Sequence, residues 1–474
     1  MSNNTVKFIY NKKKKAETKF NPEKIFNLTK EEFIKKNPTH GTSTIDNVIQ
    51  VNMEKIVKCI DLNEELQKIL LFGEVQSGKT NNMIFLTSVL RDMGFNKFII
   101  LTGTKNNLNI QNVKRFKEAN KECDFLDFRE EKNFFRDSSE TQFLYGIKQN
   151  ISKLLKNFQE LSATDFEDWK IAIIDDESDE ASSEKNKQNR TINSNIENLL
   201  KYKTKNKIYF SVTATPYANL ISYTDFLIPN YLVPLSSAKA YCGLKEFKDQ
   251  KRYFVLNEDI IRSLKEVDVY DKNLKEFLEN SIMEFLLKCF RYSKNFQYLI
   301  NIDTGTNTIK GLESFFRLIV NKLKVKNDEF LLNFVGREEI KEFRICINNL
   351  KVKYTMEGID YIRENVPEII IGGNLLSRGV TFDDLLFQIM INHGSSKNLS
   401  SDTLLQRARW FGYRKAYIND MKIYVSNVAS NFYEEIYYVE NSIREMYSES
   451  FEHSTIKKER IENLFKEHCL KWTS

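Results

Sequence analysis

Short apolar runs alternate with longer amphipathic stretches along most of this chain. Ile69–Phe72, Lys97–Thr102, Ile171–Ile174 and Ile208–Val212 have the length of buried strands, and helical patterns fill the intervals. Over about 51 to 245 that alternation predicts a parallel sheet with right-handed crossovers. Residues 250–292 then change character: Leu274, Phe277, Leu278, Ile282, Phe285 and Cys289 recur at helical spacing and no glycine interrupts them, so a helical connector is expected. From Phe296 the alternation resumes, with Tyr298–Ile302, Phe330–Val335, Glu368–Ile371, Leu386–Ile391 and Lys422–Val425 as strands of a second α/β domain. After Asn431 a stripe of Phe432, Ile436, Val439, Ile443 and Met446 predicts a helix packed on its own domain. Residues 1–50 are polar, with the run Lys12-Lys13-Lys14-Lys15 read as a solvated tail and Pro38-Thr39-His40-Gly41-Thr42 as a loop.

Composition narrows the class. A chain of 474 residues exceeds one core, so two or three domains are expected. No apolar run approaches the ~20 residues that span a bilayer, and Met1 to Lys15 lacks the apolar core of a secretory signal. Six widely spaced cysteines without a Cys-x-x-Cys pair fit reduced thiols in a cytoplasmic protein and argue against structural zinc. The net charge of +6 permits a nucleic-acid partner without requiring one.

The chemistry concentrates where apolar runs end. Lys68-Ile69-Leu70-Leu71-Phe72-Gly73-Glu74-Val75-Gln76-Ser77-Gly78-Lys79-Thr80 is a strand entering Gly-x-x-x-x-Gly-Lys-Thr, the Walker A loop that cradles phosphates. Its glycines let backbone N–H groups point inward at a helix N-terminus. Gly73, Gln76, Ser77, Gly78, Lys79 and Thr80 are the expected nucleotide-binding residues, with Lys79 on the β- and γ-phosphates and Thr80 on Mg²⁺. About ninety residues on, Ile171-Ala172-Ile173-Ile174-Asp175-Asp176-Glu177-Ser178-Asp179-Glu180 is a strand ending in carboxylates. Aligned as Asp-Glu-x-Asp, Asp176 is the metal-side acid, Glu177 polarises the attacking water, and Asp179 couples to neighbouring motifs. Ser211-Val212-Thr213-Ala214-Thr215-Pro216 closes another strand with hydroxyls suited to those carboxylates.

In the second domain, Ile369-Ile370-Ile371-Gly372-Gly373-Asn374-Leu375-Leu376-Ser377-Arg378-Gly379 feeds a Gly-rich loop with one arginine, Arg378, a further candidate for the nucleotide. Thr403-Leu404-Leu405-Gln406-Arg407-Ala408-Arg409-Trp410-Phe411-Gly412-Tyr413-Arg414 gathers a glutamine and three arginines around aromatics expected in the core. Arginines supplied across a cleft stabilise charge on a transferring γ-phosphoryl group. Thr102-Gly103-Thr104-Lys105-Asn106 and Thr304-Gly305-Thr306-Asn307 place small polar groups at strand ends, suited to phosphate contacts or to ordinary helix caps.

In this order the motifs resemble the motor core of superfamily-two helicases. The wording is closer still to the bacterial Z-1 domain family, described in general as endonucleases or restriction-associated ATPases. The resembling phrases are Val75-Gln76-Ser77-Gly78-Lys79-Thr80, Ile174-Asp175-Asp176-Glu177, Thr213-Ala214-Thr215-Pro216, Tyr241-Cys242-Gly243, Leu376-Ser377-Arg378-Gly379-Val380-Thr381 and Arg409-Trp410-Phe411-Gly412-Tyr413-Arg414. Ser178 stands where such proteins usually carry Ala. The resemblance implies two RecA-like P-loop domains with ATP and Mg²⁺ between them, Lys79, Thr80, Asp176 and Glu177 from the first and Gln406, Arg409 and Arg414 from the second. It leaves open which arginine reaches the γ-phosphate, since Arg409 and Arg414 are five apart where standard helicases space theirs by three.

The expected layout is a polar and basic extension over 1–50, a RecA-like domain over 51–245, a helical connector over 246–295, a second RecA-like domain over 296–430 and a helical tail over 431–474. The expected function is cytoplasmic ATP hydrolysis coupled to translocation or remodelling of nucleic acid, DNA ahead of RNA, in a bacterial restriction or anti-phage system with protein partners from its operon and no membrane. The alternatives are an ATP-gated interaction module that never translocates, and an endonuclease acting alone or with a partner, for which no convincing metal-nuclease motif is found.

Overall fold

A computed structural model describes residues 23–103, 106–130, 140–159, 169–179, 187–221, 226–302, 305–355, 362–373, 382–391, 400–448, 451 and 458–471, with side chains from 113, 191 and 459 onward in the helices that open at 106, 187 and 458. The Lys12–Lys15 run, Thr104, Lys105, Thr304 and the loop carrying Arg378 lie outside the described residues.

Two parallel sheets form the frame. The first has β1 (Leu66–Phe72), β2 (Lys97–Thr102), β3 (Asp124–Asp127), β4 (Gln142–Ile147), β5 (Lys170–Asp176), β6 (Asn206–Thr213) and β7 (Tyr231–Pro234) in the order β3-β4-β2-β5-β6-β1-β7. The second has β8 (Tyr253–Val255), β9 (Gln297–Asn301), β10 (Lys351–Thr355), β11 (Glu368–Gly372), β12 (Leu385–Met390) and β13 (Lys422–Val425) in the order β10-β11-β9-β12-β13-β8. Every neighbouring pair in both sheets is parallel. β1 is buried at five of its seven residues and β5 at six of seven, because helices cover both faces of a parallel sheet.

Three sequence expectations change. Phe330–Val335 is not a strand: Asp328–Leu331 is a short helix whose Asn327 side chain accepts from Phe330 N at 3.0 Å, with Asp328 and Glu329 in its first turn. Phe330 and Phe334, a helical step apart, pack with ring centroids 5.4 Å apart and planes tilted by 53°; a six-residue apolar run does not by itself separate helix from strand. The strand of this region is β10. Second, the stretch read as a connector is helical at Glu258–Glu266 and Lys272–Arg291, yet it also contributes β8, the edge strand beside β13. Leu274, Leu278, Ile282, Phe285 and Cys289 are buried in the same cluster as Tyr298 and Phe387, so this stretch is a layer of the second sheet. Third, residues 24–36 and 41–57 are helical; of the expected loop Pro38–Thr42, residues 38–40 form a turn, and Gly41 and Thr42 open the second helical stretch. Asp92 accepts from Ile25 N and Phe26 N at 3.0 Å each, and Phe26 and Phe33 pack on Phe85 of the helix Lys79–Asp92.

The helix Asn427–Met446 buries the expected stripe of Phe432, Ile436, Val439 and Ile443 and also reaches the first sheet. Arg444 lies 4.2 Å from the centroid of the Phe72 ring and donates to Leu235 O at 3.3 Å. Tyr217 donates to Glu440 Oε1 at 2.8 Å, and Phe451 O accepts from Leu232 N at 2.8 Å beside β7. One apolar cluster consequently runs from Leu70, Phe72 and Tyr217 through Tyr241 into the core around Trp410 and Tyr433. Among the described residues no helix is long and apolar enough to cross a membrane.

Candidate nucleotide site

β1, β5 and β6 are contiguous, so their C-terminal ends bring the Walker A loop, the carboxylates and the Thr-Ala-Thr-Pro turn together. This is the edge at which open α/β sheets bind ligands. Gly73 N donates to Thr213 O at 3.0 Å, fixing where the loop leaves the sheet. Gln76 (φ 58°) and Gly78 (φ 85°) adopt left-handed backbone, which curls the loop before the helix Lys79–Asp92 begins. Lys79 Nζ donates to Glu74 O at 3.3 Å and Ser77 Oγ donates to the same carbonyl at 2.8 Å. Lys79 and Thr80 open the helix, where its unpaired N–H groups favour an anion.

Asp176 is buried at the end of β5. Burial pushes its carboxyl above the usual range, while Lys79 and then Lys148 draw it back. Glu177 follows with φ 50°, and its N–H donates to Asp176 Oδ1 at 3.0 Å. Ser178 is fully buried and its hydroxyl accepts from Asn219 Nδ2 at 3.0 Å, a contact that alanine would lack.

Asp179 is the coupling residue that its position suggested. Its carboxylate accepts from Thr213 Oγ1 at 2.7 Å, from Thr215 Oγ1 at 2.9 Å and from Gln406 Nε2 at 2.8 Å. Gln406 belongs to the helix Ser401–Arg407 behind the second sheet, so this bond crosses between the domains.

The two candidate arginines are placed differently. Arg414 is buried, and its guanidinium donates to Phe382 O, Asp383 O and Tyr417 OH, pinning a loop within the second domain rather than facing the Walker A loop. Arg409 is buried in the turn directly after the helix of Gln406. Trp410 and Phe411 are core, with Trp410 against Phe247, Tyr253 and Tyr433. Thr102 Oγ1 donates to Gly146 O at 3.2 Å, so that hydroxyl of the first candidate phosphate loop is engaged within the sheet.

Several contacts were not assigned from the sequence, although Tyr241-Cys242-Gly243, Gly412 and Tyr413 lie in phrases that carry the resemblance. Tyr413 donates to Ser77 O at 3.1 Å and Tyr241 to Val75 O at 2.6 Å, the two rings meeting edge to face at 6.1 Å. Cys242 and Gly412 exchange backbone hydrogen bonds of 2.7 and 3.1 Å, and Ser237 Oγ donates to Glu74 Oε2 at 2.5 Å. Tyr241-Cys242-Gly243 is thus a strut between the Walker A loop and the arginine motif. Arg115 donates to Asn81 Oδ1 at 2.6 Å; burial lowers its pKa while Glu118 and Asp176 oppose that. Close to the strut, burial raises Glu440 to about 7, opposed by Arg444 and Tyr217 and assisted by Glu74.

The donor set suits Mg²⁺. Among the described residues no three His, Cys, Asp or Glu side chains gather to hold a metal, and Mg²⁺ bound with a nucleotide typically needs only one or two carboxylates besides phosphate oxygens and water. Asp176 at the end of β5 supplies a carboxylate and Thr80, in the first turn of the helix that follows β1, a hydroxyl; β6 lies between the two strands.

Residues 258–469 match the Z1 domain, and residues 43–218 match the type III restriction enzyme, res subunit. No curated protein matches the chain. Among solved structures, the DUF1998 helicase MrfA bound to DNA superposes with a TM-score of 0.50 and 15% identity, over 90% of this chain and 55% of that one. The ATP-dependent Type ISP restriction-modification enzyme LlaBIII bound to DNA gives 0.47 at 12% identity over 88% of this chain, which spans 30% of that enzyme's length. S. cerevisiae Dbp5 bound to RNA and ADP BeF3 gives 0.37 at 13% identity, over 83% and 88% of the two chains. The likeness to MrfA is one of fold, two RecA-like domains. Residues 258–469 are therefore similar to the Z1 domain and residues 43–218 to the res subunit of type III restriction enzymes, on a fold of two RecA-like domains.

Proposed function

We propose that the chain hydrolyses ATP in the cleft between its sheets and couples hydrolysis to remodelling or translocation of nucleic acid, DNA ahead of RNA. The observation that carries this reading is the cross-domain bond from Gln406 to Asp179, which also gathers Thr213 and Thr215. Any displacement of the carboxylate turn by the γ-phosphate is felt directly by the second domain through that residue.

In this reading Gly73, Gln76, Ser77 and Gly78 shape the phosphate cradle and Lys79 neutralises β- and γ-oxygens. Thr80 and Asp176 would hold Mg²⁺, which when bound supplies charge neutralisation to the phosphates. Glu177 orients the attacking water and accepts its proton. Arg409 supplies the positive charge from the second domain; Arg414 is committed to the carbonyls of Phe382 and Asp383 and serves as scaffold. Arg378 is retained as a nucleotide contact on its motif alone. We divide the chain into a nucleotide-binding domain and a second domain that includes 246–295, because β8 lies in the second sheet. A cytoplasmic setting, protein partners and a role in restriction or phage defence follow the family resemblance.

A specific feature favours a second reading. The shared apolar cluster and the tail helix against Phe72 and Tyr217 limit how far the domains part, as suits an ATP-gated module that binds a partner without translocating. Steady-state ATPase of the purified chain, with and without single- and double-stranded DNA and RNA, decides between the two. Stimulation by one nucleic acid, lost in Lys79→Ala and Glu177→Gln, supports the motor. Nucleotide binding with turnover unmoved by any nucleic acid supports the gate, and Glu177→Gln turnover equal to wild type would remove that residue from its role.

A further inference from the structure

Lys148 is a fully buried charge that no motif accounts for. It opens the short turn Lys148–Asn150 after β4, and β2 separates β4 from β5. Its side chain nevertheless reaches the end of β5: Nζ donates to Asp175 Oδ1 at 2.7 Å, to Asp176 O at 3.0 Å and to Glu177 O at 2.9 Å. These bonds match the three donors of an ammonium. Tyr209 donates to Asp175 Oδ2 at 2.6 Å and holds the partner carboxylate from its other side.

A buried ammonium is costly unless it is paired and hydrogen-bonded. Simple pairing with Asp175 would not require the two main-chain carbonyls, yet both belong to the turn that carries the reacting acids. Glu177 adopts φ 50°, uncommon for a residue with a side chain. Backbone of that kind persists where its surroundings over-determine it. Lys148 binds the carbonyls of Asp176 and Glu177, and Asp176 Oδ1 takes the intervening N–H.

We propose that Lys148 is a positioning residue of the nucleotide site, clamping the Asp176–Glu177 turn from beneath so that one carboxylate faces the metal and the next faces the water. The proposal rests on the ATPase reading above. Lys148 acts through the two carbonyls, as outer partners orient the ligands of a metal.

The test uses the full chain and the affinity of a fluorescent ATP analogue, measured once with Mg²⁺ and once in EDTA. The ratio reports the carboxylate turn, whereas affinity in EDTA reports the Walker A loop. Lys148→Met is expected to reduce the Mg²⁺-dependent gain roughly ten- to hundred-fold, the range for partners that orient a metal ligand, and to leave affinity in EDTA unchanged. Where Lys148→Met does not fold, the double variant Lys148→Met with Asp175→Asn removes both buried charges and carries the same expectation. Tyr209→Phe weakens the ion pair yet spares both carbonyl bonds, so its ratio stays at the wild-type value. A wild-type ratio in the lysine variants overturns the proposal alone, as does an equal loss in Tyr209→Phe, which would trace the effect to general loosening of the core. A wild-type protein with no Mg²⁺-dependent gain overturns the ATPase reading and this proposal with it.

Discussion

Replacing Glu440 with glutamine is expected to stabilise the protein above neutral pH and leave it unchanged in mild acid. Glu440 lies on the helix Asn427–Met446, is 8% exposed, and accepts from Tyr217 of the first domain. Burial raises its pKa from 4.5 to about 7 against the pull of Arg444 and Tyr217, with Glu74 adding to the rise. In the unfolded chain the group titrates as an ordinary carboxyl. Between those two values the folded protein holds a proton that the unfolded chain has released, so stability falls as pH rises from about 4.5 towards 7 and is flat beyond. A shift of that size corresponds to roughly 3 kcal/mol lost from this one group. Glutamine keeps the oxygen that Tyr217 needs and cannot ionise. Its new amide protons require partners, which costs about 1 kcal/mol, leaving a gain of about 2 kcal/mol at pH 8. Urea midpoints of wild type and Glu440→Gln from pH 5 to 8 measure the difference, in which all other titrating groups cancel. Parallel curves, or a variant less stable than wild type at pH 8, would refute the reasoning.

Two further substitutions probe the contacts around the Walker A loop. A Cβ at Gly243 would lie 2.8 Å from Glu74 Oε1 and 2.8 Å from Tyr241 Cε1, so Gly243→Ala should displace the strut and weaken ATP-analogue binding by about ten-fold, equivalent to ~1.4 kcal/mol; unchanged affinity by titration would show that the loop does not depend on the strut. Arg414→Ala should lower stability by about 3 kcal/mol through loss of charged hydrogen bonds, whereas Arg409→Ala should abolish turnover; wild-type stability in the first or wild-type turnover in the second, from paired melting and ATPase measurements, would refute those roles.

Much of the sheet architecture was legible because parallel strands buried on both faces write themselves as continuous apolar runs. β1, β2, β5, β6, β9, β11, β12 and β13 fall on expected runs, to within a few residues at their ends. The missed strands β3, β4, β7, β8 and β10 are edge strands, or lie next to one; β3, β4 and β10 carry polar residues such as Asp124, Gln142 and Lys351, and β7 and β8 are apolar but only four and three residues long. The mistaken strand at Phe330–Val335 failed for a local reason, since Asn327-Asp328-Glu329 is a helix start whose apolar continuation was too short to show a period. Motif order foretold that Asp179 and the Thr-Ala-Thr-Pro hydroxyls would meet, because strand ends converge on one edge. Nothing in the sequence announced Lys148, and Tyr413 was named only as part of its motif: both reach backbone carbonyls across strands or domains and leave no spacing to read.

The return of the chain to its first sheet bears on how such a protein can be cut. After crossing the second sheet, the polypeptide lays Arg444 on Phe72 and hands Phe451 O to Leu232 N beside β7. The loop that leaves β7 for the second domain is thereby closed by a later segment, and β7 is an outer strand held by β1 on one side. A fragment ending before residue 427 would leave the ring of Phe72 and the hydroxyl of Tyr217 without their cover. The nucleotide-binding half, expressed by itself, would expose an apolar flank directly under its phosphate loop. Its solubility would depend on the far end of the same molecule being present.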